Sequence, residues 1–230
     1  MTDQRHTARD HGALRSIFDE AMAIVKDDVL RLGSLVETAL ERASRALAER
    51  DVALADAVRH DDREINELQR RVNQQITTAM ALQQPMARDL RELLALYHAA
   101  AELERMGDYA VNIAKLAVQL AGEPEQQILP QIPRMEVLCR EQLRAAMRAL
   151  VDVSEEEARA VCARDDELDA LYNSVYEASM ALMAERPDRV RQITHMLFTA
   201  YHLERLGDRV TNIGEDVVYV ATGRVEDLNP

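Results

Sequence analysis

LERMGDYAVNI at residues 103–113 and LERLGDRVTNI at residues 203–213 are one phrase written twice, 100 residues apart. The match extends upstream. Asp62-Arg-Glu-Ile-Asn66-Glu-Leu68 answers to Asp165-Asp-Glu-Leu-Asp169-Ala-Leu171, now 103 residues apart. Self-similarity at a fixed offset marks a duplicated supersecondary unit. The change of offset predicts a shorter reversal between the two blocks in the second half.

Around the first phrase, apolar residues recur at spacings of three and four: Leu93, Leu96, Ala100, Leu103, Gly107, Ala110, Ala114 and Ala117. Around the second the same phase runs through Ile193, Met196, Ala200, Leu203, Gly207, Val210, Gly214 and Val217. Such stripes are the seams of helical bundles. Working outward, a first helix is expected from Leu14 to Arg50 and a second, capped by Asp51, to Leu82. Gln83-Gln84-Pro85 turns the chain into a third helix ending at Ala121. The stretch 122–133 carries a glycine and three prolines and reads as a linker. The plan then restarts with a fourth helix to Val153, a fifth opened by a capping box at Ser154–Glu157, a reversal at Arg186-Pro187, and a sixth to Gly223. The expected fold is all-α: two tandem three-helix bundles, six long helices, over residues 14–121 and 134–223.

Composition agrees. The chain has 230 residues, 47% of them hydrophobic but only 3% aromatic, with no Trp, 7 Gly and 6 Pro. That is poor material for strands and tight turns and good material for helices. The net charge of −13 disfavours nucleic acid as a partner, since the phosphate backbone would be repelled. Cys139 and Cys162 have no metal-ligand spacing and read as buried thiols of a reducing compartment. Residues 1–13 lack the apolar run of a signal peptide, and no stretch is long and apolar enough to span a bilayer. The reading is a cytoplasmic protein.

The seams place acids together. Glu104 and Asp108 each follow a seam position by one residue, as do Glu204 and Asp208, and so do Asp62, Asn66, Asp165 and Asp169 on the helices before them. Residues four apart share a helical face. Asp62 and Asn66 stand as far before Pro85 as Asp108 and Glu104 stand after it, and Asp165 and Asp169 flank the Arg186-Pro187 turn likewise with Asp208 and Glu204. In antiparallel neighbours, equal distance from the turn means equal height, so each unit should gather its acids into one patch. Arg105 and Arg205 can pair with Asp108 and Asp208, whereas Glu104, Glu204, Asp165 and Asp169 find no cation three or four residues away. Carboxylates gathered without His or Cys suit a hard cation such as Mg²⁺, Ca²⁺, Mn²⁺ or iron. Gly107 and Gly207 would let the backbones approach closely beside the patch. The plainer reading is a solvated acidic face neutralised by arginines from other helices. Asn66 replaces the fourth acid in the first unit, which predicts weaker cation binding there. The Glu-x-x-His pair of di-iron bundles is absent, the histidines read as packing or surface residues, and there is no nucleophile setting or glycine-rich phosphate loop. No enzyme is expected.

The doubled phrase, with Gln84-Pro85-Met-Ala-Arg-Asp-Leu-Arg91 and Asp165-Asp-Glu-Leu-Asp169, resembles the PhoU family of bacterial phosphate-uptake regulators over roughly residues 25–223. The resemblance implies two three-helix bundles whose acidic motifs hold metal, here Asp62, Glu104 and Asp108, then Asp165, Asp169, Glu204 and Asp208. It implies multinuclear iron, with Mg, Mn, Ca and Zn left open. It further implies a homodimeric negative regulator of the phosphate-starvation response. Such an adaptor links the phosphate ABC transporter, through its ATPase subunit, to a membrane sensor histidine kinase, and is peripheral to the membrane only through those partners. The alternative is a carboxylate metalloprotein of the helical-bundle kind, storing metal or doing redox chemistry.

Overall fold

The computed structural model describes the backbone of residues 3–124 and 128–229, and side chains from residue 15 onward within those spans. Residues 125–127 of the expected linker lie outside the described residues, as do residues 1 and 2 and the side chains of 3–14, on which the reading of the N-terminus rests. The chain is all-α: α1 Asp3–Glu49, α2 Val52–Gln83, α3 Ala87–Ala121, α4 Gln131–Asp152, α5 Glu155–Cys162, α6 Asp165–Glu185, a 3-10 turn Pro187–Arg189, and α7 Val190–Thr222. No helix among the described residues is long and apolar enough to cross a membrane.

The boundaries have local causes. Asp51 caps α2 by accepting from Leu54 N at 2.9 Å, and Ser154 caps α5 by accepting from Glu157 N at 3.4 Å. The helix expected at Pro85 begins at Ala87 instead, because Gln84 turns left-handed at φ 47° and Met86 is extended. α4 opens at Gln131 rather than residue 134, since Pro133 needs no amide donor within a first turn. The expected fifth helix is broken: Arg164 N donates to Val161 O at 3.1 Å, a tight turn that ends α5 and restarts the chain as α6. The second reversal is not the shorter one either. Residues 84–86 join α2 to α3 and 186–189 join α6 to α7; the helical arms between acids and turn are shorter instead.

Every seam position expected on the third and sixth helices is buried in α3 and α7. One hydrophobic core runs continuously through both repeats. At its centre α3 and α7 lie antiparallel. The Tyr109 and His202 rings stack at 5.8 Å, and Arg209 pairs with Glu102 at 3.4 Å. Adding or subtracting 100 converts one pair of positions into the other, so a local two-fold relates the repeats across this contact. α1 ties them further. Gly33 lets Met147 of α4 come to where a Cβ would be 3.0 Å from Cγ, and Arg140 bonds Glu41 at 3.3 Å.

Two glycines set the hairpin spacing. At Gly207 a Cβ would overlap Leu168 Cδ2 and stand 2.8 Å from Asp165 Oδ1; at Gly107 it would meet Ile65 side-chain atoms at 3.2 Å and Asp62 Oδ1 at 3.5 Å. Leu168 is fully buried. Gly207→Ala should therefore lower unfolding free energy by about 1–3 kcal/mol through overpacking, net of the roughly 1 kcal/mol helix-propensity gain. Gly107→Ala should be near neutral. Urea denaturation of both variants checks the order.

Candidate metal centre

The second repeat gathers its acids as expected. Asp165 Oδ1 lies against the α7 backbone at Gly207, the level predicted from the turn. Asp169 and Asp208 both act electrostatically on Asp165, and Asp208, Asp169 and Asp165 all act on Glu204. Asp165 is 2% exposed, deeper than the flank position assigned to it. The break at Ala163-Arg164 puts it in the first turn of α6, where an acid also favours the helix dipole. Burial, then Asp208, pushes the Glu204 carboxyl up to about 7 against the pull of Arg205. Burial, then Asp169 and Asp208, pushes Asp165 up to about 6. Asp169 is raised by burial and by Asp208. Asp208 is raised by burial against Arg205, its ion-pair partner three residues away, and Arg209.

The first repeat brings Asp62, Glu104 and Asp108 together more gently. Burial, then Asp108, raises Asp62, while the Asn66 amide donates to Asp62 Oδ2 at 2.8 Å and Lys115 lowers it. Burial, then Asp108, raises Glu104, opposed by Arg105. The expected Arg105–Asp108 pair gives way to Arg105 against Glu104 at 4.0 Å. Arg63 and Arg70 line the same groove as Asn66 and Glu104. At the matching positions the second repeat carries Asp166 and Asn173, and Glu215 matches Lys115. The first cluster thus has Arg63, Arg70 and Lys115 where the second has none of them, while the second keeps Arg205 and Arg209 against Asp208.

All seven residues offer carboxylate oxygens, the donors a hard cation takes. Glu204 Oε2 is buried without a hydrogen-bond partner, a cost of about 1–3 kcal/mol that a cation would relieve. Among the described residues no three His, Cys, Asp or Glu side chains converge closely enough to hold an ion as they stand. The clusters are open carboxylate faces rather than closed cages.

The histidines and cysteines behave as read. His202 stacks in the repeat interface, His98 lies 3.3 Å from Asp216, and both thiols are free and buried. Sequence reasoning missed Asn229, whose amide donates to Asp165 Oδ2. The polar tail doubles back: Arg159 pairs with Glu226 at 2.8 Å, and Leu228 N donates to Glu215 at 2.9 Å. Nothing periodic beyond Gly223 signals that return.

A carboxylate raised in the folded state binds protons that the unfolded chain would release. Between about pH 7 and the ordinary range near 4.5, stability therefore rises as pH falls. Metal-free protein should melt at higher temperature at pH 5.5 than at pH 8, and Glu204→Gln should remove much of that difference. Calorimetry at the two pH values measures it.

Comparisons with known proteins agree with this architecture. The family model described as the PhoU domain matches residues 29–117 and again 132–217. A phosphate-specific transport system accessory protein PhoU homolog from Clostridium acetobutylicum is 33% identical over 94% of this chain and 99% of its own. A homolog of the same name from Rhizobium meliloti is 35% identical over 93% and 90%. The crystal structure of PhoU from Pseudomonas aeruginosa superposes with a TM-score of 0.86 at 28% identity, covering 90% of this chain and all of that one. The phosphate transport system regulatory protein PhoU from Streptococcus pneumoniae gives 0.84 at 29%, covering 91% and 99%. These names are those of accessory and regulatory proteins, not of enzymes. With both repeats matched and the whole architecture shared, the chain belongs to the PhoU family.

Proposed function

We propose that this protein regulates phosphate uptake as a non-catalytic adaptor, damping the phosphate-starvation response when phosphate is plentiful. It would stand in the cytoplasm as a homodimer between the ATPase subunit of the phosphate ABC transporter and the sensor histidine kinase. Membership of a family whose relatives are named as accessory proteins of phosphate transport carries this reading. The rigid two-repeat body, with its single continuous core, suits a part that holds partners in fixed relation.

Metal ions belong to the proposal. Asp165, Asp169, Glu204 and Asp208 would hold a cation in the second repeat, and Asp62, Glu104 and Asp108 a weaker one in the first. Iron is the metal implied by resemblance, and Mg, Mn, Ca and Zn use the same donors. When bound, the ion supplies positive charge that offsets the repulsion among the acids. The protein's own contribution is the placement: Gly207 and Gly107 admit the neighbouring helix, and the Asn66 side-chain amide donates a hydrogen bond to Asp62. No histidine joins either cluster among the described residues, so the storage or redox alternative gains no support.

Four measurements test the proposal. A strain lacking the gene should express phosphate-starvation genes at high phosphate, and the intact chain should silence them. Purified protein should co-precipitate the transporter ATPase and the kinase; failure of both would end the adaptor reading. Elemental analysis should find metal in native protein and little in a Glu104→Ala, Asp108→Ala, Glu204→Ala, Asp208→Ala variant. Calorimetric titration should resolve the second site as at least about tenfold tighter than the first, a gap of about 1.4 kcal/mol.

A further inference from the structure

Beside the second acidic cluster lies an aromatic surface that the metal reading does not use. Tyr172, Tyr176 and Met180 follow one another at single-turn spacing along α6, with Tyr176 44% and Met180 49% exposed. Tyr201 of α7 is 42% exposed. Tyr172 sits among them, close enough to Glu204, Tyr201 and Tyr176 to feel all three. The Tyr201 ring is 5.5 Å from that of His202, which stacks on Tyr109. Three of the six tyrosines of the chain, Tyr172, Tyr176 and Tyr201, are thus gathered on one side of the second repeat.

The fold does not require them. The first repeat builds the same hairpin with Gln69, Asn73, Thr77 and Ala101 at the positions of Tyr172, Tyr176, Met180 and Tyr201. Large apolar rings held half in water gain little for stability, and clustered exposed aromatics mark contact surfaces. The charge pattern changes at the same place. The first cluster is edged by Arg63 and Arg70, whereas the second has Asp166 and Asn173 there, leaving Glu204 and Asp169 at the foot of the tyrosines without those cations.

We propose that the second repeat, and not the first, carries a docking surface for an arginine- or lysine-bearing segment of a partner protein. The rings would receive the aliphatic stem and the face of the cationic head, and Glu204 with Asp169 would receive its N–H groups. A metal ion would engage the carboxylates alone and leave the tyrosines without a role. The surface gives the adaptor reading a location and takes its biological sense from that reading, but it does not depend on metal being bound.

The decisive variant replaces Tyr172→Gln, Tyr176→Asn and Tyr201→Ala, giving the second repeat the residues of the first. The probe is a short fluorescent peptide alternating arginine and leucine, with a glutamate-leucine peptide as control, read by anisotropy on metal-free full-length protein. The arginine peptide should bind and the glutamate peptide should not. The triple variant should bind about tenfold more weakly, Tyr→Phe at the same positions should retain affinity, and Glu204→Gln should weaken binding and flatten its salt dependence. In wild-type protein the ring resonances of Tyr172, Tyr176 and Tyr201 should shift as peptide is added, a readout that does not need the variant to fold. Equal affinity of wild type and a folded triple variant, or peptide binding without movement of those resonances, would overturn the proposal. The triple variant should keep its metal content, so loss of peptide binding with metal retained separates this surface from the metal reading.

Discussion

The approach of α6 to α7 at Gly207 is the contact on which the second repeat depends. A helix carrying a side chain there could not accept Leu168 and Asp165 where they lie. The absent Cβ admits both, one to complete the core and the other to be buried as an acid. The same design at Gly107 is looser, with Ile65 side-chain atoms 3.2 Å and Asp62 Oδ1 3.5 Å from the position of the missing carbon, close but without the overlap seen at Gly207. Close packing and charge burial are thus one event: the helices cannot come together without drawing their flanking carboxylates out of water.

That coupling explains why two copies of one motif have different electrostatics. In the first repeat Asn66 donates to Asp62, Lys115 opposes its shift, and arginines edge the groove. The second repeat lacks the lysine and the groove arginines, and although Asn229 donates to Asp165 and Arg205 pairs with Asp208, burial holds Glu204 up to about 7 and Asp165 up to about 6. Duplication supplies an internal control, since whatever differs between equivalent positions is not demanded by the fold. By that standard the more deeply buried acids and the tyrosines beside them belong to what the second repeat does, while the buried seams belong to how both repeats stand.

Much of this was legible in the chain itself. The seams through α3 and α7, the Asp51 and Ser154 caps, the Arg186-Pro187 reversal and the shared level of Asp165 with Asp208 all follow from spacing, because helical periodicity and hairpin symmetry convert sequence distance directly into position. Less was legible where a helix breaks without a breaker. Ala163 and Arg164 are good helix formers, and only the packing of Cys162 against Gly214 and of Leu168 against Gly207 shows that the two pieces dock separately on α7. The Arg105–Asp108 pair was a sound local expectation that a neighbouring Glu104 displaced.

The amino-acid order by itself determined the helical class, the duplication, the faces each helix buries and the pairing of acids across each hairpin, since all four are set by local periodicity repeated along one chain. Tertiary structure alone decided that α3 and α7 join the repeats through a two-fold contact, that Asp165 is buried rather than flanking, and that the tail returns Asn229 to it. Those outcomes depend on how separate helices meet in space. No spacing rule encodes such meetings, because the partners stand far apart in the chain and are chosen by the shape each presents.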